Sequence, residues 1–267
     1  METLLVSFLQ LDLVWENSEA NLAQIEIELA KLDPETDLLV LPEMFNSGFS
    51  MNSSKLAQSM DGLVVEAIIS WAKQYNFAVV GSFICEEQGQ YFNRLLFVHP
   101  DGKIEKYDKR HLFRMANETE SFSPGTDRLI VNYKGWRIMP LVCYDLRFPV
   151  WSRNQFKVED DKVISEYDLM IYVANWPAAR VAAWNKLLLA RAIENQAYVV
   201  GVNRTGFDGN NIEYNGNSAV IDAKGEYLKE PFESVGNQTV LLRKNSLEEF
   251  RAKFPVGMDA DSFTISR

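Results

Sequence analysis

The chain predicts an α/β fold of four layers, α-β-β-α, with two sheets packed face to face between outer helices. Three observations carry this. Strand and helix patterns alternate almost to the end of the 267 residues. Several strands are short continuous apolar runs, as expected for strands covered on both faces. The second half also restates the pattern of the first: "DLLVLPE" parallels "DLMIYVANW", "FAVVGSF" parallels "AYVVGVN", and "LLFVHPDGKI" parallels "SAVIDAKGEY".

The elements follow in order. Residues 4–13 are strand-like, and a helix follows with Leu22, Ile25, Leu29 and Leu32 on one face. "DLLVL" (37–41) is a buried strand. Residues 63–75 carry a helical stripe of Val64, Val65, Ile68, Ile69, Ala72 and Tyr75. "FAVVGSFI" (77–84) is a strand, and "YFNRLLFV" with "KIEKY" reads as a hairpin across "HPDG". Residues 108–127 read as a long loop, which in a compact domain is usually functional. "WRIMPLVC" (136–143) is a strand, with a short helix starting near Arg147. "YDLMIYVA" (167–174) is a strand, residues 180–195 a helix, "AYVVGVN" (197–203) a strand and "SAVIDAKGEYL" (218–228) a hairpin. No linker divides the chain, so residues 1–267 are read as one domain, with 256–267 an extended tail docked on a partner subunit.

Composition excludes several function classes. The 27 lysines and arginines against 37 acids give a net charge of −10, which repels phosphate backbones and argues against nucleic acid. The most basic stretch, "EKYDKRHLFR", is interrupted by acids. No apolar run approaches the ~18–20 residues that span a bilayer. "METLLVSFLQLDLVWEN" lacks a basic n-region and reads as a first strand, so the expected location is the cytoplasm. Cys85 and Cys143 suggest no disulfide framework, and with His99 and His111 they do not supply a zinc site. "GFDGNN" (206–211) lacks the lysine and spacing of a phosphate loop.

Three residues stand where chemistry is possible. Cys143 ends an apolar strand and precedes a turn, a junction where a thiol projects from the sheet and following N–H groups can face an oxyanion. A nearby helix N-terminus and cation would ease its ionisation. A free cysteine is also a common core residue, and that reading stands beside the first. Glu43 follows a buried strand, where its carboxylate is expected to be desolvated, as suits a general base; the alternative is a solvated loop glutamate, a reading that the flanking Pro42, Met44 and Phe45 weaken. Lys109 opens the long loop, where it is either a surface charge or an oxyanion partner held charged by Glu118 or Glu120. A Cys-His or Ser-His site would rest on His111 alone, because His99 sits at a hairpin turn.

"LLVLPEMFNSGF", "YDKRHLF", "LVCYDLRFPVWSR" and "NWPAARVAAWNKLLLARAIENQAYVVGVNRTG" occur in this order. Together they resemble the nitrilase superfamily of carbon–nitrogen hydrolases, over residues 4 to about 245. "HLFRMANE" and "NWPAAR" look most like its ω-amidase (2-oxoglutaramate amidase) branch. The resemblance implies the same four-layer sandwich, assembled as homodimers, and a triad of Glu43, Lys109 and Cys143. It implies a second glutamate, for which Glu118 is preferred over Glu120. The branch has a His soon after that first Glu, where this chain has Thr119 and Glu120. The implied activity is hydrolysis of the ω-amide of a small dicarboxylic acid monoamide to acid and ammonia, through a thioester, with no cofactor and no metal. Phe45, Tyr144, Asn175 and Trp176 are expected to line the pocket. Arg147 could bind the distal carboxylate, but a structural pairing with Asp145 or a core carboxylate is the preferred expectation. The rival readings are an N-carbamoyl amino-acid hydrolase, an aliphatic amidase or a true nitrilase, and an inactive homologue acting as a binding module.

Overall fold

A computed structural model of the protein describes residues 2–159 and 162–265. The first sheet has the order β16-β1-β2-β3-β4-β5. Its strands are β1 (Thr3–Gln10), β2 (Leu38–Val40), β3 (Ala78–Glu87), β4 (Gln90–Val98), β5 (Ile104–Asp108) and β16 (Gly236–Arg243). The second has the order β15-β14-β11-β10-β7-β6. It comprises β6 (Val131–Tyr133), β7 (Trp136–Val142), β10 (Leu169–Ala174), β11 (Tyr198–Asn203), β14 (Ser218–Ile221) and β15 (Tyr227–Phe232). Two small hairpins, β8 (Phe156–Glu159) with β9 (Lys162–Ser165) and β12 (Thr205–Phe207) with β13 (Glu213–Asn215), stand apart. The long helices are α1 (Ser18–Leu29), α3 (Leu63–Tyr75), α6 (Val181–Asn195) and α7 (Lys244–Lys253); α2 (Ser53–Leu56), α4 (Glu118–Ser121) and α5 (Pro149–Ser152) are single turns.

The internal repeat is visible in the topology. Each sheet has three parallel strands, β1-β2-β3 and β7-β10-β11, flanked by antiparallel ones. The three sequence parallels fall on equivalent places: β2 with β10, β3 with β11, and the pair β4–β5 with β14–β15. Alternate residues of β2 and β3 serve two cores. Leu38, Val40, Ala78 and Val80 join the layer shared with the second sheet, while Leu39, Leu41, Val79 and Phe83 pack under α1 and α3. On the far side Trp184, Leu188 and Ala192 of α6 cover the second sheet. These four layers are those expected from the sequence. No helix among the described residues is long and apolar enough to cross a membrane.

The differences have local causes. The expected strand over 4–13 stops at Gln10. The edge strand β16 has a weak alternation, "GNQTVLLR", yet pairs with β1 from Thr3↔Arg243 to Gln10↔Gly236. Helix α7 buries only Leu247, so it has no apolar stripe to read. The expected loop over 108–127 contains a 3-10 turn, Arg114–Ala116, and the short α4. The tail opens with a 3-10 turn, Val256–Asp259, and Phe263–Ile265 then lie in a crevice with Arg110, Arg128 and Trp151 of the same chain. Met1, Ser266 and Arg267 lie outside the described residues.

Asp168, fully buried just before β10, ties the second sheet to α7. Its carboxylate accepts from Arg137 Nη2 at 2.6 Å and Arg251 Nη1 at 2.8 Å, with Lys244 Nζ at 3.3 Å. Burial alone would raise its pKa; the three cations, Arg137 foremost, outweigh burial and hold it at about 2. A depressed carboxyl adds stability above its unfolded value, and that part is lost as pH falls from about 4 towards 2. Asp168→Asn should therefore lower unfolding stability at pH 7 by about 3 kcal/mol, the low end for a broken buried pair because its partners keep some water. Urea denaturation followed by circular dichroism measures this, and the gap between wild type and variant should narrow at pH 3.

Candidate active site

The end of β2 turns a carboxylate into the interior. Leu41 N still donates to Val80 O, but at Met44 φ is +43° and its N–H goes to Ser82 Oγ at 2.9 Å. Glu43, 0% exposed, is left between the sheets. Asn175, just past the equivalent strand β10, meets it there. Asn175 N donates to Glu43 Oε2 at 2.8 Å, and Asn175 Nδ2 to the Glu43 carbonyl at 2.5 Å. The two repeated strand ends thus close on each other.

Lys109 follows β5, and its N–H donates to Asn93 O. Its Nζ donates to Glu43 Oε1 at 2.9 Å and to both oxygens of Glu118 at 2.9 Å. All three side chains are wholly shielded from solvent. Burial works against the Lys109 charge, yet Glu118 and Glu43 raise its pKa above the ordinary lysine value, so the ammonium persists. Burial raises the Glu118 pKa, with Lys109 opposing and Glu43 assisting. Glu118 also accepts the Phe113 N–H at 2.5 Å, fixing α4 beneath the lysine. Asn93 Nδ2 bridges the carboxylates at 2.7 Å to Glu43 and 3.3 Å to Glu118.

Cys143 sits where β7 passes into the 3-10 turn Cys143–Arg147, with φ +44°. A positive φ at a non-glycine residue is strained, and such strain persists where surroundings over-determine it. The residue is 9% exposed, and its Sγ lies 3.9 Å from Asn175 O. Burial pushes the thiol pKa well up, and the Glu43 carboxylate pushes further than Lys109 pulls back. Burial and Glu43 thus work against the ionisation that a nearby cation would favour.

Asp145 locks the Cys143 turn to the lysine segment. Its Oδ2 accepts from Val142 N at 3.1 Å and Tyr107 Oη at 2.7 Å. Its Oδ1 accepts the His111 N–H at 3.0 Å and lies 2.8 Å from His111 Nδ1. Tyr107 and His111 flank Lys109 by two residues on each side, so one buried carboxylate sets how Lys109 and Cys143 face each other. His111, stacked on Phe148, is engaged with Asp145 and serves no Cys-His pair.

Lys109 and Cys143 open onto a cavity of about 490 Å³, with Tyr144, Asn175 and Trp176 in its wall as expected. Phe45 is not there: the turn at Met44 sends it into the core under α3, against Gly81, where any Cβ would lie 3.0 Å from its ring. Phe49 and Phe113 supply aromatic wall in its place. Asn175 lines the cavity, but its amide also holds Glu43. Of the two acidic candidates, Glu118 is buried in the cluster and Glu120 is exposed. Arg147 does not pair with Asp145, whose oxygens are taken. It is exposed and lies over Trp176, 5.1 Å from the ring centroid. The segment 206–211, set aside as a phosphate loop, contributes Asp208 and Asn210 to the wall. Sequence reasoning missed Asn93, Asp145 as the lock, and Asn203, whose Oδ1 accepts the Trp176 N–H at 2.7 Å. Polar residues in apolar runs, such as Asn93 in "YFNRLLFV", were the available signal. No group of three or more His, Cys, Asp or Glu side chains among the described residues is placed to hold a metal ion.

Asp145→Asn removes an acceptor from both segments while keeping the volume. It should lower kcat by about a hundredfold, the effect of a misplaced reacting group, with a near-native circular dichroism spectrum. Unchanged kcat would deny the lock its role.

Comparison with known proteins shows the family of the chain. Residues 5–251 match the family described as Carbon-nitrogen hydrolase. The chain is 45% identical to Omega-amidase YafV of Escherichia coli (strain K12), over 99% of this chain and 100% of that protein. It is 31% identical to 2-oxoglutaramate amidase of Bacillus subtilis (strain 168), over 94% of this chain and 95% of that one. Among solved structures, XC1258 of Xanthomonas campestris superposes with a TM-score of 0.96 at 44% identity, over 100% of both chains. That protein is described as a CN-hydrolase superfamily member with an arsenic adduct in its active site.

Proposed function

The chain belongs to the carbon–nitrogen hydrolase family and is an amide-hydrolysing enzyme; from that premise we propose that it cleaves the ω-amide of small dicarboxylic acid monoamides, 2-oxoglutaramate-like, to acid and ammonia. Support for the substrate comes from the ω-amidase and 2-oxoglutaramate amidase relatives. The observation that carries the chemistry is the buried Lys109 ammonium, held by Glu43 and Glu118 at 2.9 Å and lining one small cavity with Cys143. Assembly as a homodimer and a place in the cytoplasm belong to the same proposal, on the family resemblance of the sequence blocks.

The steps follow from where the groups stand. Glu43 takes the Cys143 proton as the sulfur bonds to the amide carbon. The carbonyl electrons move onto oxygen, and that oxyanion is held by the Lys109 ammonium and the backbone N–H of Tyr144. Glu43 passes its proton to the nitrogen, the carbon–nitrogen bond breaks, and ammonia leaves a thioester on Cys143. Water then enters, Glu43 takes one of its protons, and the hydroxyl adds to the thioester. Collapse of this second adduct releases the carboxylic acid, and the sulfur recovers its proton from Glu43. Glu118 keeps Lys109 charged and in place throughout.

Lys109→Ala should reduce kcat by at least about a hundredfold, as for loss of one oxyanion donor. With a slow substrate, mass spectrometry should find an acyl adduct on Cys143 in the wild type and none in Cys143→Ser. Cys85 is buried, and burial pushes its thiol up to about 11, so it should stay unmodified; an adduct there would refute the assignment. An ammonia-release screen over ω-amides, nitriles and carbamoyl compounds tests the substrate class. Release from glutaramate-like amides without carbon dioxide supports the reading, and preferred turnover of carbamoyl compounds or nitriles overturns it.

A further inference from the structure

Two cations in the cavity wall have no carboxylate partner within ion-pair distance among the described residues. Arg147 follows the nucleophile in the same turn, its guanidinium 5.1 Å from the Trp176 ring centroid. Arg180, across the wall, holds its guanidinium 5.1 Å from the Phe113 ring centroid. Trp176 joins the two: its ring carries Arg147, and its Nε1 donates to Arg180 O at 2.9 Å. A guanidinium on an aromatic face is held in orientation while its N–H edge stays available, and that planar edge matches a carboxylate.

The other charges at the cavity are already answered. Lys109 is compensated by Glu43 and Glu118. Asp208, the only aspartate or glutamate in the cavity wall among the described residues, accepts from Asn210 N at 2.8 Å, Ile212 N at 3.0 Å and Tyr214 Oη at 3.1 Å. What remains uncompensated is positive and lies on Arg147 and Arg180. Helix α6 adds to this: it begins directly after Arg180, with no side chain capping it and no acid in its first turn.

We propose that Arg147 and Arg180 form the subsite that grips the distal carboxylate of the substrate, so that this arginine pair selects monoamides of dicarboxylic acids over neutral amides of the same length. The inference rests on the ω-amide reading above and names the groups that would enforce it. The amide carbonyl lies at Cys143 and Lys109, and the carboxylate lies against the two guanidinium edges. Charge-assisted, bidentate hydrogen bonds of this kind discriminate through binding.

The test compares kcat/KM for succinamate with that for its uncharged methyl ester, in wild type, Arg147→Gln, Arg180→Gln and Arg147→Lys. The readout is the ratio of the two, which a general loss of packing would leave unmoved. Wild type should favour the anion strongly. Each glutamine variant should cut that ratio about ten- to a hundredfold, as expected for hydrogen bonds to a charged group, through a raised KM for succinamate. Arg147→Lys, which keeps the charge but loses the fork, should recover part of the ratio. If wild type prefers the anion and both glutamine variants keep that preference, the subsite assignment falls while the ω-amide reading stands. If wild type itself shows no preference for the anion, the ω-amide reading falls and takes the subsite with it.

Discussion

One ammonium, shared by two carboxylates with no access to water, constrains the whole interior. Taking an ion out of water costs several kcal/mol even after relaxation, and only well-formed pairing offsets it. Lys109, Glu43 and Glu118 meet that condition at 2.9 Å each, but only because five segments arrive together. The ends of β2 and β5 bring Glu43 and Lys109, α4 brings Glu118, β4 brings Asn93, and the end of β10 brings Asn175. None of these groups could be left inside alone. The cluster is therefore as much a condition on the fold as a feature of the site.

The cluster also decides the state of the thiol. A lysine beside a cysteine suggests a stabilised thiolate, but here burial and the Glu43 carboxylate outweigh the pull of Lys109 on the sulfur. Burial and the Glu43 carboxylate leave Cys143 protonated. On the proposed mechanism, deprotonation accompanies attack and the Lys109 charge serves the oxygen. The positive φ at Met44 and Cys143 fits this picture, because both turns aim a side chain away from the path a relaxed strand end would give it.

The near-repetition of the two halves explains how such distant residues meet. Glu43 and Asn175 follow equivalent parallel strands in two sheets that face each other, and they hydrogen-bond across the gap. Asp145 supplies the second tie, fastening the cysteine turn to Tyr107 and His111 on either side of the lysine. The framework is thus held at two points by polar groups, of which Asn175 also lines the cavity and Asp145 does not.

How much was legible follows from what each signal encodes. Strand and helix periodicity is local, so the alternation, the apolar runs and the repeated halves could be read directly, and the four-layer sandwich with them. Glu43, Lys109 and Cys143 could be singled out because each stands in a block that resembles the family, and the fold does bring Glu43 to Lys109 and places Lys109 and Cys143 on one cavity. Edge elements such as β16 and α7 were not, because a half-exposed segment carries little apolar pattern. Side-chain direction was least legible of all. Phe45 and Phe49 look alike in sequence, and a single turn at Met44 puts one in the core and the other in the cavity wall. Arg147 looked like a partner for its neighbour Asp145 until Tyr107 and His111, brought in by the fold, occupied that carboxylate. The sequence by itself determined the layers, since these follow from short-range pattern, and through its family resemblance it named candidates for the reacting atoms. Which polar groups hold those atoms, and which remain free for a ligand, is a question of long-range partnership that only the packed structure decides.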